Sequence, residues 1–260
     1  MNVENDKLAW EIINYLLEFG YIPDAKYDCV YDWLNLCTNI KHVEFDVGKY
    51  DEGLLYCGSA WDYALEQMNI LESINIKLIQ FMYAWCALET IIEVQVDEQS
   101  VLDKGKINAT CFWLKNNLRL SDIPSVYLKI YDEMIEQLKL VYQFEAELQK
   151  LGITENSKFP NKKWVNKSGA GLLVVYKIRN KLAHGSLIFP TPDDIECGDT
   201  EEHISPKLID SAISIVLFSI VMLLLVDCKK FDNVIDDAVY CEKIAGMTPS
   251  NFLRNIQQFL

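Results

Sequence analysis

The feature that most constrains this chain is an uncharged run of sixteen residues, Ser211 to Val226 (SAISIVLFSIVMLLLV), bracketed by Asp210 and Asp227. A helix written this way is apolar on every face, so other elements or a second subunit must surround it. The run is shorter than the roughly 20 apolar residues of a bilayer span, and its flanks are acidic, with no basic cytoplasmic collar. It is therefore expected as a central helix over 205–228, with no membrane partner.

The remaining sequence supports the same architecture. Only 11 Gly and 7 Pro fall in 260 residues, which suits long helices better than many short strands. Leu8, Ile12, Ile13, Leu16 and Leu17 form a stripe at helical spacing, stopped near Gly20 and Pro23. A short helix is expected over 27–39, an irregular connection over 41–58, and one long or two consecutive helices over 60–96. Further helices are expected over 107–118 and, as one long piece with Pro124 in its first turn, over 121–151. A helix over 169–184 packs Leu172, Val175, Ile178 and Leu182 inward, ended by a left-handed Gly185. Short helices around 233–241 and 248–259 close the chain. The fold class is all-α: a helical domain over 59–260 with an N-terminal helical extension over 1–58.

Eight cysteines without a CxxC pair indicate neither a zinc site nor a disulfide framework. Most lie in apolar stretches, where a free thiol acts as a small hydrophobe. The first residues, with Asn2, Glu4 and Asp6, lack the basic start of a secretory signal, so the cytoplasm is the expected compartment. His42 and His203 stand in polar segments away from metal-ligand spacing and are expected at the surface; no metal is expected. Ser168-Gly169-Ala170-Gly171 lacks the GxxxxGK[ST] phosphate loop and reads as a simple helix start, so no cofactor is expected either.

Charge singles out one region. The chain carries −14, yet 156–192 holds seven basic residues (Lys158, Lys162, Lys163, Lys167, Lys177, Arg179, Lys181) and no Asp or Glu. A basic island in an acidic protein is an electrostatic footprint for a polyanion, and its six lysines are the expected RNA contacts; on charge alone the alternative is a solvated lysine-rich loop leading into a core helix. Within it lies Arg179-Asn180-Lys181-Leu182-Ala183-His184. Imidazole moves protons near neutral pH, and guanidinium grips a phosphate with two prongs. Residues four apart share a helix face, so Asn180 stacks below His184, with Arg179 to one side. Immediately after, 193–202 holds six acids, expected as a solvated linker or, alternatively, as a shield over the basic island.

The Arg–polar–x3–His pattern near a helix end, within YKIRNKLAHG, resembles the HEPN superfamily of small helical ribonucleases and nucleotide-binding proteins. Phe81 to Glu89 (FMYAWCALE) resembles the aromatic, Glu-bearing early helix of those domains. The resemblance spans roughly 60–230, with no counterpart for 1–58. It implies a four- or five-helix bundle that dimerises so that two motifs line one cleft. It also implies a metal-independent endoribonuclease, with Arg179, Asn180 and His184 catalytic, acting as a toxin or in phage defence. A regulatory or antitoxin protein is the further partner implied. The alternative is a non-catalytic interaction or RNA-binding subunit of a larger complex.

Overall fold

The computed structural model describes residues 2–19, 27–45, 57–197, 203–228, 239 and 242–256. Among them are eleven α-helices and no named strand: α1 (Val3–Phe19), α2 (Asp28–Asn39), α3 (Gly58–Gln95), α4 (Glu98–Lys104), α5 (Lys106–Asn117), α6 (Ser125–Leu140), α7 (Glu145–Leu151), α8 (Lys167–Ala183), α9 (Pro192–Cys197), α10 (Pro206–Cys228) and α11 (Pro249–Asn255). The all-α class is thus observed. The helix expected around 233–241 lies almost wholly outside the described residues, as do most of 41–58 and the acids Asp199, Glu201 and Glu202.

The apolar run becomes α10, and its position follows from its composition. Helices α1, α3, α5, α6, α8 and α11 all pack against it, which is what a helix without a polar face requires. At 23 residues α10 is long enough to cross a membrane, so length does not decide its role. Burial does: 94% of its most apolar window is enclosed by the protein. The bracketing acids are both partnered. Asp210 forms an ion pair with Lys77 on α3 at 2.6 Å, and Asp227 accepts a 2.5 Å hydrogen bond from the Tyr27 hydroxyl.

Helix α3, 38 residues and about 57 Å long at 1.5 Å per residue, is one continuous rod. Its C-terminal half buries Phe81, Ala84, Trp85, Leu88, Ile91 and Ile92. The N-terminal extension shares this core. Helix α2 lies along α3 and α1 lies on α10, while Tyr15 stacks on Phe252 of α11 and Phe19 meets the same ring at a tilt. Cys37 donates to the Gln80 carbonyl at 3.2 Å, and Gln95 donates to Tyr27 at 3.0 Å.

The single helix expected over 121–151 is two. Leu120–Asp122 is a 3-10 turn; Pro124 holds Ile123 extended, and α6 starts one residue later. Helix α6 buries Tyr127, Tyr131, Met134, Ile135 and Leu138, whereas the next segment buries Phe144, Leu148 and Leu151. At 100° per residue, Phe144 lies about 120° from Leu138 around a continuous helix. Extended backbone at Val141 (φ −86°, ψ 100°) resets the phase. The acidic segment after Thr191 is also partly helical, since α9 is closed by a reciprocal cap. Thr191 donates from its backbone N–H and its hydroxyl to Asp194, both at 2.7 Å, and its Oγ1 accepts from the Asp194 N–H.

Candidate functional site

Helix α8 carries the Arg179–His184 pattern, and its N-terminal half is clamped. Asn166 caps it, accepting from the Ser168 N–H at 3.0 Å and the Ser168 hydroxyl at 2.5 Å. The small residues that follow let other helices approach its backbone. Cys111 of α5 lies against Gly169 and donates to its carbonyl at 3.3 Å. The Tyr127 hydroxyl of α6 donates to the Ser168 carbonyl at 3.2 Å and accepts from the Gly171 N–H at 2.9 Å. Burial pushes both the Cys111 thiol and the Tyr127 phenol well above their ordinary pKa values. The Ser-Gly-Ala-Gly stretch is therefore a packing surface with every residue buried.

At the other end α8 stops in a full Schellman motif. Gly185 adopts φ +61°; its N–H reaches the Leu182 carbonyl at 3.0 Å, and the Ser186 N–H reaches Lys181 at 2.9 Å. His184 is the C-cap residue (φ −91°, ψ 4°). Its side chain is exposed, and among the described residues no group bonds its imidazole.

Arg179 and Asn180 are half-buried and face α3. Tyr176, one turn earlier, stacks on Trp85 of α3 with centroids 6.2 Å apart and planes at 15°. Trp85 Nε1 in turn donates to Glu89 at 2.9 Å. The Cys86 thiol is raised above its ordinary pKa, first by burial, then by the Glu89 carboxylate, with the Arg179 guanidinium opposing both. Arg179, Cys86 and Glu89 therefore share one neighbourhood. Arg179 Nη1 donates to Asn180 Oδ1 at a long 3.5 Å. Its Nε is buried with no acceptor among the described residues, an orphan donor of the kind that folded proteins rarely leave.

The basic island is not a single face. Around α8, Lys177 lies about 200° from Arg179, with Lys181 near Lys177. Lys177 pairs with Glu147 of α7 at 3.1 Å, and Lys158 pairs with Glu136 of α6 at 3.2 Å. Lys167 lies over the Phe159 ring at 5.4 Å, and Phe159 itself stacks on Tyr131 at 5.0 Å. Lys162, Lys163, Lys167, Arg179 and Lys181 form no ion pair among the described residues. Local acids distant in sequence thus neutralise two of the seven charges, which the charge count over 156–192 does not register. His42 is exposed as expected, whereas His203 is mostly enclosed, 3.7 Å from Asp194.

Among the described residues no three His, Cys, Asp or Glu side chains group as a metal ion requires. Sequence reasoning overlooked Tyr176 and Cys86 as members of this neighbourhood. The available signal was spacing: Tyr176 precedes Arg179 by three residues, and Trp85, Cys86 and Glu89 lie within two turns of α3. No family model, curated protein or solved structure is significantly similar to this chain.

Proposed function

We propose that this protein is a HEPN-type endoribonuclease that cleaves RNA without a metal ion, by attack of the ribose 2′-OH on the adjacent phosphorus. The observation that carries the reading is Arg179, half-buried and in no ion pair among the described residues, five residues before an exposed His184 whose imidazole no described group bonds. A guanidinium without a carboxylate partner is suited to a phosphate oxygen. His184 takes the 2′-OH proton as the O2′–P bond forms, and the imidazolium so formed gives it to O5′ as the P–O5′ bond breaks. Arg179 holds the charge on the non-bridging oxygens, Asn180 orients the guanidinium or the phosphate, and the unpaired lysines Lys162, Lys163, Lys167 and Lys181 attract the polyanion. Two chains in a symmetric dimer would bring two such motifs to one cleft.

The pairing of Lys158 and Lys177 with acids favours a second reading, a non-catalytic interaction module, because it thins the basic footprint. One experiment separates the two. Purified protein is incubated with RNA in EDTA, wild type beside His184→Ala, and product ends are mapped. The nuclease reading requires 2′,3′-cyclic phosphate or 3′-phosphate ends that vanish with His184→Ala and with a deoxyribose at the scissile position. Cleavage that appears only on adding Mg²⁺, or none at all, rejects it.

A further inference from the structure

A second place in the molecule, sharing no residue with the Arg179 neighbourhood, has the form of a ligand site. Helices α1 and α6 both pack on α10, and between them opens a cavity of about 200 Å³. That is room for roughly seven waters at about 30 Å³ each, and less than the ~300 Å³ at which pockets for drug-sized ligands begin. Its occupant is therefore small, on the order of nine non-hydrogen atoms.

The lining divides by chemistry. Leu8, Ile130 and Phe218 supply apolar wall. Asn5 and Ser214, both buried, supply a polar floor that is largely self-satisfied. Asn5 Nδ2 donates to the Asp210 carbonyl at 2.9 Å, and the single Ser214 hydroxyl proton goes to Asn5 Oδ1 at 2.5 Å or to the Asp210 carbonyl at 3.0 Å. The Ser214 oxygen is left as an acceptor. Glu4, Lys129 and Glu133 bring two carboxylates and one ammonium. All three are exposed, and none is in an ion pair among the described residues.

This set discriminates among small ligands. A simple anion meets two carboxylates, and a simple cation leaves Lys129 unanswered. A zwitterion with an apolar side chain matches every group. The geometry points to a site for a free amino acid of about leucine size: its ammonium between Glu4 and Glu133 with Ser214 as a further acceptor, its carboxylate toward Lys129, its side chain against Leu8, Ile130 and Phe218. Bound there, it bridges α1 to α6 and ties the N-terminal helix to the bundle. The inference is independent of the ribonuclease reading.

The test is calorimetric titration of the full chain with L-leucine, with isoamylamine (no carboxylate) and isocaproate (no ammonium) as probes. Leucine should bind once per chain, and isocaproate at least about tenfold more weakly, a difference of ~1.4 kcal/mol. Lys129→Ala should weaken leucine by a similar factor while leaving isoamylamine unchanged; Glu133→Gln should weaken both. Ile130→Trp should abolish binding by filling the cavity. Circular dichroism checks each fold, and should Ile130→Trp unfold, the two exposed-residue variants decide. Wild type that takes up no leucine at millimolar concentration overturns the assignment. So does leucine binding that Lys129→Ala and Glu133→Gln leave untouched, or isocaproate binding as tightly as leucine.

Discussion

Replacing Gly169 by Ala tests whether α8 is held as tightly as the site requires. A Cβ built there lies 2.9 Å from Cys111 Cβ, 3.0 Å from Cys111 Cα and 3.1 Å from its sulfur. Carbon pairs prefer about 3.5–4.0 Å, and one of the crowded atoms is backbone, so no rotamer change relieves it. Helices α5 and α8 must part by about half an ångström or more. Overpacking of this kind costs about 1–3 kcal/mol, against which the removal of a helical glycine returns up to about 1 kcal/mol. The Cys111–Gly169 bond at 3.3 Å weakens as well. The net expectation is a loss of about 1–2 kcal/mol, or roughly 2–8 °C in Tm for a chain of this size. Gly58, at the start of α3, is the internal control: nothing lies within 4 Å of its Cβ position, so Gly58→Ala should be neutral or mildly stabilising. Urea unfolding followed by tryptophan fluorescence measures both. Equal or greater stability in Gly169→Ala than in Gly58→Ala would refute the close α5–α8 contact.

Three further outcomes are expected. His184→Ala should change stability by no more than about 0.5 kcal/mol, since its side chain is exposed, and on the ribonuclease proposal should lower RNA cleavage by about 10²–10⁴-fold; unfolding would make His184 a structural cap. Arg179→Ala should slow alkylation of Cys86 at neutral pH and Glu89→Gln should speed it, because the two charges act oppositely on that thiol; peptide mass spectrometry reads the rate, and no change in either variant separates Arg179 from α3. Glu147 is held below the usual glutamate range, first by Lys150 and then by Lys177, so its folded pKa lies below its unfolded one. Its stabilisation is present above the unfolded pKa and lost as pH falls through the folded one. Glu147→Gln should thus cost a little at pH 7, under about 1 kcal/mol for half-buried ion pairs that still border solvent, and nothing once pH lies below the glutamate range, as thermal melts across pH will register.

What the sequence revealed and what it concealed divide along physical lines. Properties set within one helix were readable: the all-round apolarity that places 211–226 at the centre, the inward stripe of Leu172, Val175 and Ile178, and the left-handed Gly185. Properties set by two segments meeting were not. The break at Val141 arises because Phe144 and Leu148 must reach a core already occupied on the Leu138 side. The neutralisation of Lys158 and Lys177 depends on Glu136 and Glu147, carboxylates outside the window in which the charges were counted. Arg179 was legible as a residue of interest, but its orphan Nε and its closeness to Cys86 are products of how α8 lies on α3.

The burial gradient along α8 bears on how such a site keeps its shape without a cage of surrounding loops. From Ser168 to Val175 every residue is buried; from Tyr176 to Leu182 all but Ile178 are half-buried; from Ala183 to Ser186 all are exposed. The helix is gripped by glycine-mediated contacts at one end and emerges into solvent at the other. Functional groups mounted on a regular element are held more accurately than groups on a loop, provided the element itself cannot rock. Here the clamp is Gly169 on Cys111 and Tyr127 bonded to Ser168 and Gly171, and the Tyr176–Trp85 stack fixes rotation about the helix axis at midlength. Gly169 and Gly171, buried against Cys111 and Tyr127, thereby set where Arg179 and His184 stand. Loss of function from Gly169→Ala with both side chains intact would be the signature of that leverage.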